Sequence, residues 1–123
     1  MDTVKTVSKL EIREEVGLFI FDIRADGFLW NMVRKMVGAL EKMGTGQKDW
    51  AWFSELLRPE SNHGAPTAPA DGLMLMDVGY QGLDWQVDEY SLRRAAAALA
   101  ATVQNRMAGA MVARELEKAM ALY

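Results

Sequence analysis

The chain has 123 residues, half of them hydrophobic, which is the length of one domain with enough apolar side chain to bury a core. A net charge of -3 argues against a free-standing basic nucleic-acid module and leaves room for a domain that contributes one side of an RNA site. There is no cysteine and a single histidine, His63, which excludes disulfides, thiolate metal sites and histidine clusters. No apolar run approaches the ~20 residues needed to span a bilayer, and no signal peptide is visible, so a cytoplasmic domain with no membrane partner is expected.

The opening "VSKLEIREEVGLFIFDIRADG" predicts a β-hairpin. Val7, Leu10 and Ile12 half-alternate, "EEVG" turns, and a second strand follows with β-branched and aromatic residues on both parities from Leu18 to Phe21. That second strand is expected to be covered on both faces. The period then changes. Phe28, Leu29, Met32, Val33, Met36, Val37, Leu40 and Met43 recur at helical spacing, with Asp26 as the expected cap and Gly44 and Gly46 as the stop.

Asp49 is the expected N-cap of a second helix, "WAWFSELL", which Pro59 ends. Trp50, Trp52 and Phe53 are read as helical core packing rather than as a base-stacking platform. "PESNHGAPTAPADG" is irregular by composition, and His63 within it is read as a surface loop residue. "GLMLMDVGY" is expected as a strand. The tail, residues 87–123, is alanine-rich and proline-free, a helix in which Gly109 marks a candidate bend or break. Leu99, Val103, Met107, Ala110, Met111 and Leu116 form an apolar stripe along it. The expected class is α+β, helices packed on a mostly antiparallel sheet, with a core over residues 1–86 and a helical tail over 87–123.

Charge is uneven. Arg24 to Arg58 holds six basic and four acidic residues, whereas Pro59 to Gln86 holds four acidic residues and no lysine or arginine. On a helical wheel Asn31, Arg34 and Gly38 fall at i, i+3 and i+7, one line nearly opposite the apolar face, with Trp30 beside it. Read from spacing alone, this is a solvated face that tolerates a glycine. Read functionally, the helix packs by its Met/Val side and presents an arginine toward another segment, with Gly38 admitting a close neighbour.

"GFLWNMVRKMVGAL", followed at some thirty residues by "APTAPADGLMLMDVGY", closely resembles the C-terminal part of the tRNA pseudouridine synthase A (TruA) family. Those enzymes carry Phe-Leu, a two-residue spacer, Met-Val-Arg, an aliphatic stretch and Gly, then a Thr-Ala-Pro-Ala-x-Gly-Leu loop. The likeness covers roughly residues 16–80, and the Trp30-Asn31 spacer resembles archaeal members. It implies half of the pseudouridine synthase fold, tRNA as substrate, and no metal or organic cofactor. It also implies that Arg34 is the active-site arginine that pairs with a catalytic aspartate, and that Leu73 packs against the target base.

Asn31 and Gly72 are the further substrate-binding candidates, and Lys35 and Lys42 are candidate RNA contacts. In the family the aspartate initiates cleavage of the uridine glycosidic bond, and the base rotates and rejoins through C5. A guanidinium suits the arginine's part, because it keeps a partly buried carboxylate ionised and fixes its direction by bidentate hydrogen bonds.

One departure matters. The family's nucleophile lies in an Arg-Thr-Asp stretch, and none occurs here. The expectation is a C-terminal half whose partner is the N-terminal half of the same protein, inactive alone, with the tail free to pack at home or in a homodimer. The alternative is a non-catalytic RNA-binding or dimerisation module of the same fold. Met74 stands where many relatives have tyrosine, a change that the residues do not explain.

Overall fold

The hairpin turns on two residues. In the computed structural model, which describes residues 4–61 and 63–121, β1 (Val7–Glu15) and β2 (Leu18–Ala25) pair antiparallel, with Glu15 opposite Leu18. Val16 and Gly17 have φ of 52° and 75°, the two positive values that a type I′ turn demands. Glycine takes such a value freely; a β-branched valine does not, and the Val16 side chain is fully exposed.

The register sorts the strands by face. Leu10 opposes Ile23 and Ile12 opposes Phe21, so one face is apolar. The other carries Lys9, Glu11, Arg13, Asp22 and Arg24, where Lys9 pairs with Glu11 and Arg13 with both Glu15 and Asp22. The expectation that β2 is covered on both faces is therefore corrected. Leu18 and Phe19 are exposed, and Ile20 alone of the apolar pair on the charged face is half-buried.

The helix α1 (Met32–Gly44) begins later than Asp26 led us to expect. Asp26 is engaged elsewhere. Its Oδ1 accepts the Thr6 N–H at 3.0 Å and its own N–H donates to the Thr6 carbonyl at 3.2 Å, which prolongs the hairpin pairing. Asn31 takes the N-cap position instead. At the other end Gly46 adopts φ 70° and donates to the Met43 carbonyl, the expected glycine stop.

The second helix, α2 (Trp50–Leu56), is capped as its sequence predicts, with Asp49 Oδ1 accepting the Trp52 N–H at 2.9 Å. Trp52 and Phe53 are half-buried, but Trp50 is exposed, its ring 5.7 Å from that of Phe53.

The expected strand over 73–80 does not form. Leu73 donates to the Ala70 carbonyl at 2.9 Å, closing a β-turn, and the chain then continues without regular structure. A strand needs an edge to exchange hydrogen bonds with, and the one described sheet is the β1–β2 hairpin, so apolar parity alone does not make one here.

The chain divides into two compact units, Met1–Asp77 and Val78–Tyr123. In the second, the Tyr80 and Trp85 rings lie 6.2 Å apart, and α3 (Glu89–Met120) is a single helix of 32 residues. Asp88 caps it by accepting the Ser91 N–H at 2.9 Å, and pairs such as Glu89–Arg93 lie along it. It runs unbroken through Gly109, so the candidate break is not realised, and its apolar stripe is exposed. Position 62 and the tail's positions 122 and 123 lie outside the described residues. Together these elements, a two-stranded antiparallel sheet and three helices, make an α+β arrangement. Among the described residues no helix is long and apolar enough to cross a membrane.

Candidate active site

Of the line Asn31, Arg34 and Gly38 on α1, Gly38 is the most tightly packed and the other two are half-buried. Gly38 and Ala39 are the buried residues of the helix, while the Met32, Val33, Met36 and Val37 side is half-buried. What covers Gly38 is the 66–68 stretch of the proline-containing loop. A Cβ built at Gly38 would stand 2.3 Å from the Pro66 carbonyl oxygen and 3.1 Å from the Ala68 nitrogen, both backbone atoms. Only a residue without a side chain lets helix and loop backbones meet this closely.

That approach brings Ala68 onto Arg34. The Ala68 N–H donates to the Arg34 carbonyl at 3.0 Å, and Arg34 Nε donates to the Ala68 carbonyl at 2.7 Å. Arg34 and Ala68 thus exchange two hydrogen bonds, one through the backbone and one through the guanidinium. A third contact comes from within the helix line, as Arg34 Nη1 donates to Asn31 Oδ1 at 3.1 Å. Nη2 makes no hydrogen bond among the described residues, and none of their carboxylates pairs with Arg34. The arginine is half-buried and held at Nε and Nη1, with the Nη2 donors to spare.

Asn31 sits in the left-handed region at φ 58° and makes no side-chain cap bond to the helix it begins. Ala68, one of the two buried apolar residues among the described residues, was not singled out in the sequence. The signal was present in Gly38 and in the Pro66-Thr67-Ala68-Pro69-Ala70 run, in which the prolines at 66 and 69 limit the loop's freedom on either side of Ala68.

The other candidates are more dispersed. Leu73 closes the Ala70–Leu73 turn with half its surface exposed, an apolar side chain without a lid among the described residues. Gly72 lies in that turn with no positive φ, and a Cβ there would meet nothing within 4 Å, so the turn itself does not require a glycine. Lys35 is exposed. Lys42 Nζ donates to Gln47 Oε1 at 2.8 Å. His63 is exposed, with its backbone N–H on Ser61 Oγ. No group of three or more metal-ligating side chains gathers among the described residues.

The two segments that meet at Arg34 are the two motifs on which the family resemblance rests. A family described as tRNA pseudouridine synthase matches residues 1–81. The chain belongs to this family. Among the similar proteins, the "tRNA pseudouridine synthase A" of Methanothrix thermoacetophila is 46% identical over 120 residues, covering 98% of this chain and 45% of the relative. Those of Methanocella arvoryzae and Methanococcoides burtonii are 42% and 45% identical, over 75% and 76% of this chain and 35% and 34% of their own lengths. These relatives are archaeal, as the Trp30-Asn31 spacer suggested. The chain spans less than half the length of these pseudouridine synthases.

Proposed function

We propose that these residues form the arginine-bearing side of the active site in a tRNA pseudouridine synthase, which isomerises uridine to pseudouridine in tRNA. The observation that carries the reading is the reciprocal Arg34–Ala68 pair. It joins the family's Met-Val-Arg helix to its Thr-Ala-Pro-Ala loop through the one side chain expected at the chemistry.

Arg34 is held by Nε and Nη1 and keeps Nη2 for a carboxylate brought by another part of the complete synthase, the N-terminal half. A guanidinium so placed keeps that aspartate ionised and ready to attack, at no cost in reorganisation when the base arrives. Leu73, five residues beyond Ala68, gives the base an apolar wall, and Gly72 keeps the wall's approach free of side chains. Lys35, exposed on the helix beside Arg34, and Lys42 contact tRNA phosphates. The exposed apolar stripe of α3 serves pairing with a second copy. The complete enzyme works in the cytoplasm, where its substrate is.

The test uses the complete synthase and counts pseudouridine formed in tRNA by the parent and by Arg34→Ala, with both melting alike. Loss of at least a hundredfold in rate is expected for a group that stabilises the reacting charge, about 3 kcal/mol of barrier. Unchanged activity would return Arg34 to a packing role.

A further inference from the structure

Asn31 does something that its position on the helix does not explain. An asparagine at the first turn of a helix ordinarily caps it, its side chain accepting a backbone N–H two or three residues on. Here that bond is not made. The residue instead adopts the left-handed conformation at φ 58° and turns its Oδ1 to Arg34 Nη1, 3.1 Å away, in a part-buried setting. The helix gives up a cap, and the backbone takes a conformation open to few side chains, for the sake of one contact to one arginine.

We propose that Asn31 is a positioning residue for Arg34 and not a contact for the substrate, an inference that rests on the functional reading above. Three properties of asparagine fit the task together. It is, with aspartate, among the few side chains that tolerate positive φ. Its reach from the N-cap position meets a guanidinium three residues on. Its carbonyl is neutral, so it orients Nη1 without cancelling the positive charge that a catalytic carboxylate needs to meet.

Aspartate would share the first two properties and fail the third, since it would form an ion pair with Arg34 and compete for it. Glycine would keep the backbone and lose the contact. With Ala68 fixing Nε from the loop and Asn31 fixing Nη1 from the helix, the guanidinium plane is defined at two points and Nη2 is aimed by what remains.

The test compares Asn31→Gly, Asn31→Asp and Arg34→Ala in the complete synthase, reading kcat and KM for tRNA and, by nitrogen-15 arginine labelling, the exchange rate of the Arg34 side-chain N–H groups. Asn31→Gly keeps the left-handed backbone, and is expected to lower kcat by about tenfold, leave KM within about twofold and speed Arg34 N–H exchange. Asn31→Asp is expected to keep the N–H groups protected and still lower kcat, because the arginine is held by the wrong carboxylate.

The inference is overturned if Asn31→Gly leaves kcat and exchange unchanged while Arg34→Ala is inactive, or if KM alone rises, which marks a substrate contact. Full activity of Arg34→Ala would instead overturn the functional reading, and Asn31's catalytic purpose with it. Exchange in Asn31→Gly would then still report whether the contact holds the side chain.

Discussion

Arg34 and Ala68, thirty-four positions apart in the chain, bond each other twice, the Ala68 N–H to the Arg34 carbonyl and the Arg34 Nε–H to the Ala68 carbonyl. The pair makes the side chain's direction depend on the loop's position, and the loop's position depends on Gly38. Gly38→Ala therefore sets two effects against each other. Alanine gains up to about 1 kcal/mol in helix propensity. Its Cβ would stand 2.3 Å from a backbone oxygen that cannot rotate away, and such overpacking typically costs about 1–3 kcal/mol. The clash wins. Denaturant unfolding is expected to show a net loss of stability, with the Arg34 side-chain resonance shifted.

The hairpin holds the opposite case, a residue worse than the position allows. Val16 stands at φ 52° with a fully exposed side chain, where a type I′ turn favours asparagine before glycine. Val16→Asn is expected to raise stability by about 1 kcal/mol, as a higher melting temperature. Gly17→Ala, at φ 75°, is expected to lower it by a similar amount.

Much of this fold could be read from residue chemistry, and the parts that could not share a cause. "EEVG" gave the turn, Asp49 the second cap, and the alanine-rich tail its helix, because each depends on neighbours in sequence. Gly38 was legible as a place of close approach for the same reason that a mid-helix glycine is otherwise a defect. Its neighbour was not, since Pro66 and Ala68 are brought there by tertiary folding.

Asp26 misled because a capping residue and a strand-end partner are the same side chain, and Thr6 decided between them. "GLMLMDVGY" misled because a strand is a relation between two segments, and a pattern states only one side of it. Within the candidate site, it was the family motif that singled out Arg34. Asn31's use of its side chain was not legible, because nothing in a sequence distinguishes an asparagine that caps from one that reaches along the helix.

The long helix makes two simple statements about itself. Gly109 lies inside α3 with nothing within 4 Å of where a Cβ would be, and the helix runs through it without a break. Gly109→Ala is expected to raise the stability of α3 by about 1 kcal/mol, read as a higher midpoint in far-ultraviolet circular dichroism.

The N-terminal cap of α3 is pH-dependent. Hydrogen bonds from Ser91, first its side chain and then its backbone N–H, hold the Asp88 carboxyl below the usual aspartate value. A carboxyl with a depressed pKa in the folded state contributes stability that is complete above its unfolded value and is lost as pH falls through the folded one. Helix signal at acid pH is therefore expected to fall more steeply in the parent than in Asp88→Asn, which caps without titrating.

The most direct measurement is the structure of the complete synthase with a tRNA in place. The predicted result is Arg34 still bonded to Ala68 and Asn31, with Nη2 at about 2.7–2.9 Å from an aspartate carboxylate beside the target uridine. An Arg34 that keeps both bonds but directs Nη2 into solvent, with the reacting base on another face, would contradict the account.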